Sequence, residues 1–144
     1  MESLNVKYEE IVRMLDAFEV AIDLYDEAKN DFNVNVVVRE AFRDSIIKRF
    51  ELSYDLFWKC LREYIGISQG VYADSPRKVF DLCFQYGLSD AQETQLLFNM
   101  IKSRNLTTHT YNVDLANEMA EKVAEYYRVM HAIMLRTSPD MIKK

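Results

Sequence analysis

The sequence predicts an all-α fold, an antiparallel bundle of about five helices in one domain. Only three glycines and two prolines occur among 144 residues, and apolar side chains recur at intervals of three and four through most of the chain. A chain of this length supports one hydrophobic core. We therefore predict a single helical domain over 1–138 and a frayed tail over 139–144, since Pro139 ends the last periodic stretch.

The first two helices carry the longest apolar stripes and form the body of the predicted bundle. The first stripe consists of Tyr8, Ile11, Leu15, Phe18, Ile22 and Tyr25. The second consists of Phe42, Ile46, Phe50, Tyr54, Phe57, Leu61 and Tyr64, and Gly66 and Gly70 are predicted to end it. Tyr54 and Trp58, on one side of this helix, are interpreted as packing residues rather than as a platform for nucleic-acid bases.

Four β-branched valines precede the second stripe, at Val34 and at positions 36–38. They favour a strand by composition, but a lone strand would have no partner in this sequence. We therefore assign them to the first turns of the second helix.

Local start and stop signals delimit the remaining helices. Ser75-Pro76 predicts an N-cap followed by proline at the first helical position, in a short helix that stops at Gly87. Ser89 and Gln92 predict a capping box for the fourth helix. Its apolar residues are Leu96, Leu97, Met100 and Ile101, and those of the last helix are Leu115, Met119, Val123, Tyr126, Met130 and Ile133.

Composition restricts the class of protein. The first residues lack a basic region followed by an apolar run, and no apolar stretch is long enough to span a bilayer, so we expect a cytoplasmic protein that does not contact membranes. Cys60 and Cys83 lie in apolar helical sequence without a zinc-ligand spacing, which predicts buried free thiols. We expect no metal and no cofactor.

The segment from Arg104 to Tyr111 combines a fixed cation, a group that titrates near neutral pH and a phenolic hydroxyl. On one continuous helix Arg104 and His109 would lie about 140° apart. Asn105 and the threonines that follow it are poor helix formers, so we predict a helix end near Arg104 and a turn carrying His109. The alternative is that Arg104 of one subunit meets His109 of another. The plainer interpretation is that Arg104 caps a helix and His109 fills a polar gap.

The spacing Arg, four residues, His, one residue, Tyr resembles the signature of HEPN-domain proteins, carried here by Arg104, His109 and Tyr111, with Asn105 in the usual polar position. The chain resembles in particular the small helical nucleotidyltransferase substrate-binding-like subunits, which are related to the HepT toxins. The resemblance extends to 48–59, to Ser75-Pro76-Arg77 and to Gly87-Leu88. One departure is Leu97, where relatives often carry tryptophan.

This resemblance implies a homodimer with the motif at a shared groove and a separate minimal nucleotidyltransferase as partner. RNA is a further candidate partner. The resemblance assigns catalytic roles to Arg104 in charge neutralisation, to His109 in proton transfer and to Asn105 in orientation. It also makes Tyr111 a candidate AMP acceptor, whose modification would block RNA access by charge and volume. The alternative for Tyr111 is packing at the interface.

Three functions remain open at this point. The chain lacks a Gly-Ser followed by an Asp-x-Asp carboxylate pair, so it cannot transfer nucleotides by itself. It can be the partner subunit of a nucleotidyltransferase, a metal-independent ribonuclease toxin neutralised by that enzyme, or a helical dimerisation module without an RNA role.

Charge does not favour a broad RNA-binding surface, because the net charge is −5. Lys102 and Arg104 could still form a small positive patch. Four carboxylates on the second helix predict a solvated mixed-charge face there, and they are Asp44, Glu51, Asp55 and Glu63.

Overall fold

The computed structural model describes residues 1–142, and within them it contains five α-helices and no strand. The predicted all-α class is confirmed. The helices are α1 (Glu2–Lys29), α2 (Val36–Gln69), α3 (Pro76–Gln85), α4 (Ala91–Leu106) and α5 (Val113–Arg136). Two short 3₁₀ turns follow α4 and α5, at Thr107–His109 and Pro139–Met141.

Helix α2 is the centre of the fold, because it contacts all four other helices. Its predicted stripe is buried from Ile46 onward, and the Phe50 ring lies 5.3 Å from the ring of Tyr126 on α5. The start of α1 pairs with the end of α2, where Lys7 Nζ lies 2.7 Å from Glu63 Oε2. The two helices are therefore antiparallel, and each covers the apolar stripe of the other.

The start of α2 is close to the prediction. Asn35 caps the helix, and its Oδ1 accepts a hydrogen bond from Val37 N–H at 2.7 Å. The valines at 36–38 form the first helical turn as predicted, whereas Val34 remains outside the helix.

The end of α2 corrects one part of the prediction. The helix continues through Gly66 and ends at Gly70, which has a φ of 72°. Gly66 serves close packing instead, because a Cβ there would collide with the Tyr72 ring.

The start of α3 confirms the predicted Ser75-Pro76 signal, since Ser75 Oγ accepts a hydrogen bond from Lys78 N–H at 3.3 Å. The predicted capping box of α4 at Ser89 and Gln92 is wrong by one residue. Asp90 Oδ1 accepts from Glu93 N–H at 2.7 Å, and Glu93 Oε1 accepts from Asp90 N–H at 3.0 Å. Aspartate is as good an N-cap as serine, and the buried Ser89 hydroxyl instead bonds to Thr94 Oγ1 at 2.8 Å.

The chain remains packed beyond α5. The tail was predicted to fray from residue 139, yet Pro139 is buried and begins the second 3₁₀ turn, which contacts α1. Residues 143–144 of the predicted tail lie outside the described residues. The two cysteines are buried free thiols as predicted, and burial raises the pKa of both Cys60 and Cys83 to about 12. No helix within residues 1–142 combines the length and apolar character needed to cross a bilayer.

Candidate functional site

The motif segment lies where α4 ends and the chain turns back toward α5. Helix α4 stops at Leu106, the 3₁₀ turn follows, and Asn112 caps α5 by accepting from Leu115 N–H at 3.1 Å. The predicted helix end near Arg104 and the turn carrying His109 are both confirmed. Thr107 lies at this break, and its hydroxyl oxygen is 2.9 Å from the Arg104 carbonyl oxygen.

Arg104 is held by two carboxylates of α2. Its Nε and Nη2 donate to the two oxygens of Asp55 at 3.2 and 3.1 Å, and its Nη1 donates to Glu51 Oε2 at 3.3 Å. Thr107 Oγ1 donates to the same Glu51 oxygen at 2.7 Å. We call these four residues the Arg104 clamp. Paired hydrogen bonds of this kind between a guanidinium and a carboxylate are among the stronger polar contacts in proteins.

The clamp shifts the ionisation of its members in the directions expected for an ion pair. The hydrogen bond to Asp55 raises the pKa of Arg104 further above its ordinary value. Hydrogen bonds from Lys48 and Thr107, together with the charge of Arg104, hold the pKa of Glu51 below its ordinary value. At neutral pH Arg104 and Glu51 are therefore both ionised.

The clamp corrects two predictions from the sequence. Glu51 and Asp55 do not belong to a merely solvated face, because they bind the motif arginine. The positive patch predicted around Lys102 and Arg104 is offset by the same two carboxylates. One signal was present in the sequence: Glu51 and Asp55 are four residues apart, so they lie on one face of α2.

His109 and Tyr111 form a separate, exposed pair. The Tyr111 hydroxyl lies 3.5 Å from His109 Nδ1, at the long limit of a hydrogen bond, and the ring centroids are 6.0 Å apart. The Tyr111 side chain is 82% exposed. Within residues 1–142 the hydrogen bonds of the Arg104 side chain go to the clamp and not to His109. The motif therefore has two parts: an arginine bound by carboxylates of α2, and a histidine and a tyrosine that are exposed to solvent.

Asn105 lies at a groove formed by α2, the start of α3 and the end of α4. The groove has a volume of about 510 Å³. Its lining residues are Tyr54, Asp55, Trp58, Ser75, Pro76, Arg77, Ile101, Arg104, Asn105 and Thr108. We call it the α2–α4 groove. Tyr54 is buried as predicted, whereas Trp58 is only half-buried and forms part of the groove wall.

The polar side chains that line the groove include both hydrogen-bond donors and acceptors. Burial, with a smaller effect from Asp55, raises the pKa of Tyr54 to about 12, so its hydroxyl keeps its proton. Arg77 and Arg104 contribute two positive charges and Asp55 one negative charge. Within residues 1–142 no three His, Cys, Asp or Glu side chains are grouped so that they could hold a metal ion.

The clamp predicts a specific acid sensitivity. Because the pKa of Glu51 is lowered in the fold, its ionised form contributes stability above the ordinary value near 4.5, and that stability is lost as pH falls through the lowered pKa. Glu51→Gln should cost about 1–2 kcal/mol at pH 7 and should flatten the decline of stability in acid. Thermal unfolding followed by circular dichroism between pH 3 and 7 measures both effects.

The matched control for this prediction is Glu118→Gln on α5. Glu118 also pairs with a lysine, Lys122 at 3.4 Å, but both side chains are at least half exposed. Exposed pairs contribute little, so this variant should keep the acid profile of the wild type. Equal acid profiles for Glu51→Gln and the wild type would show that the clamp does not stabilise the fold.

Comparisons with known proteins agree with the fold described here. A family model described as "Nucleotidyltransferase substrate binding protein like" matches residues 7–138. A crystal structure of a protein from Thermus thermophilus is 31% identical and superposes with a TM-score of 0.68, over 84% of this chain and 98% of that chain. A comparison with curated proteins gave no significant match.

Proposed function

The chain belongs to the family of proteins like the nucleotidyltransferase substrate binding protein, and from this premise we propose that it is the helical partner subunit of a two-component minimal nucleotidyltransferase system. A separate polypeptide supplies the transferase chemistry, because this chain lacks the Gly-Ser and Asp-x-Asp elements of that activity. In this proposal the chain acts as a homodimer, with its motif beside the dimer groove.

The exposure of Tyr111 is the observation that carries the proposal. An enzyme acting on this chain must reach an oxygen nucleophile, and the Tyr111 hydroxyl is presented on a turn between two helices. His109 Nδ1 lies beside that hydroxyl at 3.5 Å. The arrangement supports Tyr111 as an AMP acceptor with His109 as its general base.

The proposed transfer is a single displacement at phosphorus. The Tyr111 oxygen attacks the α-phosphorus of ATP held by the partner, a phosphorus–oxygen bond forms, and the bond to the bridging oxygen breaks to release pyrophosphate. His109 in its Nε2–H tautomer accepts the phenolic proton at Nδ1. The HEPN and HepT relationship of the motif is part of the same proposal.

Complex formation tests the proposed subunit role directly. We expect a minimal nucleotidyltransferase to be encoded beside this chain, and we expect the two proteins to co-elute in size-exclusion chromatography when they are co-expressed. Light scattering on the eluted peak gives the stoichiometry. Separate elution of two well-folded proteins at micromolar concentration would contradict the proposal.

A second candidate function is the metal-independent ribonuclease toxin. It is supported by Arg104 and Asn105, which line one groove large enough for a nucleotide. In this alternative Arg104 stabilises charge on the scissile phosphate, Asn105 orients it and His109 transfers a proton. The clamp weighs against it, because Arg104 must leave Asp55 and Glu51 before it can bind a phosphate.

Growth on induction of this chain alone separates the two functions. The subunit function predicts no arrest, because the chain without its partner transfers nothing and cleaves nothing. Arrest by the wild type but not by His109→Ala would favour the ribonuclease instead. His131→Ala is the matched control, since His131 lies on the exposed side of α5. Its ring stacks on that of Tyr127, with 5.7 Å between the ring centroids.

A further inference from the structure

One end of the bundle exposes a group of apolar side chains. The turn between α1 and α2 carries Phe32, which is fully exposed. Val36 and Val37 in the first turn of α2 and Val113 at the start of α5 are each more than half exposed. We call these four residues the Phe32 patch. Single exposed apolar residues are common on proteins, whereas a group of them at one end indicates an interaction surface.

Phe32 lies on a turn that hydrogen bonds hold in one conformation. The Asp31 carbonyl accepts from Val34 N–H at 3.1 Å, and Asp31 Oδ1 accepts from Asn33 N–H at 2.9 Å. Asp31 N–H donates to the Ala28 carbonyl at 3.3 Å. These bonds restrain the backbone on both sides of Phe32, so a partner that buries the ring has little backbone to order.

The cavity beside the patch carries a surplus of positive charge. It has a volume of about 470 Å³ and lies between the end of α1 and the starts of α2 and α5. Val36 and Val113 line it and are the first residues of their helices, so the positive ends of two helix dipoles meet there. Three cations and two carboxylates complete the charged lining, and they are Lys29, Arg39, Arg43, Glu40 and Glu121.

Arg39 is the cation of this cavity that an incoming carboxylate can bind. Lys29 already pairs with a carboxylate of α1 at 3.2 Å, and the buried Arg43 pairs with a carboxylate of α2 at 3.1 Å. Within residues 1–142 Arg39 forms no ion pair, its Nη2 donates to the Val34 carbonyl at 3.1 Å, and its buried Nε has no hydrogen-bond partner. A carboxylate can therefore bind this guanidinium without displacing another one.

The patch is also close to the proposed AMP acceptor. Val113 follows Tyr111 by two residues, so their Cα atoms are at most about 7 Å apart. A standard protein interface covers about 800 Å² of each partner, which corresponds to a disc with a radius of about 16 Å. An enzyme whose active site reaches Tyr111 therefore extends over Val113 and the cavity beside it.

We propose that the Phe32 patch and its cavity are the docking surface for the partner nucleotidyltransferase, which contributes apolar side chains that cover Phe32 and a carboxylate that binds Arg39. The inference rests on the proposed function, because it assigns the contact surface of the same partner. A second copy of this chain fits less well. In a two-fold dimer built on this patch each cavity would face its own copy, and like charges would meet.

Calorimetric titration of the full chain with the nucleotidyltransferase tests both contacts. Phe32→Ser and Arg39→Glu should each weaken binding at least tenfold, since one removes the apolar anchor and the other reverses the charge. Phe32→Ser should leave the thermal midpoint unchanged, because the ring is fully exposed. Glu121→Gln removes a carboxylate from the cavity and should tighten binding several-fold, a gain that damage to the fold would not produce.

Two variants on α5 are the matched controls. Leu135→Ser removes an exposed apolar side chain, and Arg128→Glu reverses an exposed positive charge. Leu135 lies 22 residues after Val113 and Arg128 lies 15 residues after it, which places them about 33 Å and 22 Å along the helix axis. Both variants should bind the nucleotidyltransferase with the affinity of the wild type.

The outcomes separate this inference from the proposed function. Wild-type affinity in both Phe32→Ser and Arg39→Glu refutes the docking surface and leaves the subunit role intact. Weaker binding by these variants, with no AMP on Tyr111 of the wild type, supports the docking surface and refutes the acceptor. Absence of binding by the wild type refutes the subunit role and the docking surface together.

Light scattering on the chain alone excludes the competing occupant. We expect Phe32→Ser to have the same oligomeric state as the wild type. Conversion of a wild-type dimer into a monomer by Phe32→Ser would assign the patch to a second copy of this chain and overturn the inference.

Discussion

Replacing Tyr111 with phenylalanine is expected to abolish AMP transfer to this chain. Phenylalanine keeps the ring but lacks the hydroxyl oxygen that is the proposed nucleophile, so in this proposal the phosphorus–oxygen bond cannot form. Because the side chain is 82% exposed, the fold should change in stability by no more than about 0.5 kcal/mol. Intact-mass spectrometry after incubation with the partner enzyme, ATP and Mg²⁺ detects one AMP per wild-type chain and none on the variant.

Tyr72→Phe is the matched control, because Tyr72 is also strongly exposed, at 73%, but lies in the loop between α2 and α3. This variant keeps Tyr111 and should accept AMP at the wild-type rate. An adduct on Tyr111→Phe at the wild-type level would place the modified residue elsewhere and remove the main support for Tyr111 as acceptor.

His109→Ala extends the same experiment to the mechanism. Loss of a general base should slow transfer about 10²-fold without abolishing it. The variant should recover part of its rate at higher pH, where hydroxide can take the phenolic proton in place of the imidazole. An unchanged rate in His109→Ala would assign proton removal to the partner enzyme.

Phe50→Ala is expected to destabilise the fold by about 3–5 kcal/mol. Phe50 is fully buried, and its ring lies 6.1 Å from that of Tyr54 and 5.3 Å from that of Tyr126. Its removal leaves a cavity at the centre of α2 next to Glu51. For a domain whose stability is commonly about 5–15 kcal/mol, this is a large part of the total.

Urea unfolding measures the effect as a lower midpoint at constant slope. The control is Phe84→Ala on α3, which removes the same atoms from a side chain that is 53% exposed and should cost less than about 1 kcal/mol. A loss below about 1 kcal/mol for Phe50→Ala would contradict the central position of α2 in the core.

Phe50→Ala and Tyr111→Phe affect different parts of the fold, the core and the exposed turn. Phe50 points into the core. The next residue, Glu51, faces the motif, and so does Asp55 one turn later. Destabilising the core around Phe50 should therefore also loosen the Arg104 clamp, whereas Tyr111→Phe should leave it intact. Comparing the acid sensitivity of the two variants checks this separation.

Much of the fold was predictable because its signals are local. Apolar residues at intervals of three and four predicted α1, α2 and α5, and Ser75-Pro76 predicted the start of α3. One wrong prediction also has a local cause, because two neighbouring residues could each cap α4. Ser89 and Asp90 are adjacent possible caps, and the choice fell to Asp90 because Ser89 is buried and bonded to Thr94.

Gly66 shows a second kind of failure. A glycine near the end of a helical stripe predicts a stop, but α2 continues through it to Gly70. The reason is tertiary, because the Tyr72 ring of the following loop packs where a Cβ would be. The spacing of residues 66–72 in the sequence does not predict this contact.

The sequence predicted the position of the candidate site along the chain but not the contacts of its residues. The sequence placed Arg104, Asn105, His109 and Tyr111 at a helix end, and the structure has them there. It did not predict that Arg104 is held by Glu51 and Asp55, or that Trp58 lines the groove beside Asn105. Those partners lie on another helix.

The sequence by itself determined the helices and the turn that carries the motif, because periodicity, caps and poor helix formers act between neighbours along the chain. The tertiary structure decided which of the motif residues are bound by other side chains and which are exposed to solvent. Arg104 meets carboxylates 49 and 53 positions away, a pairing set by the packing of α4 against α2. His109 and Tyr111 remain exposed because the turn carries them beyond that contact.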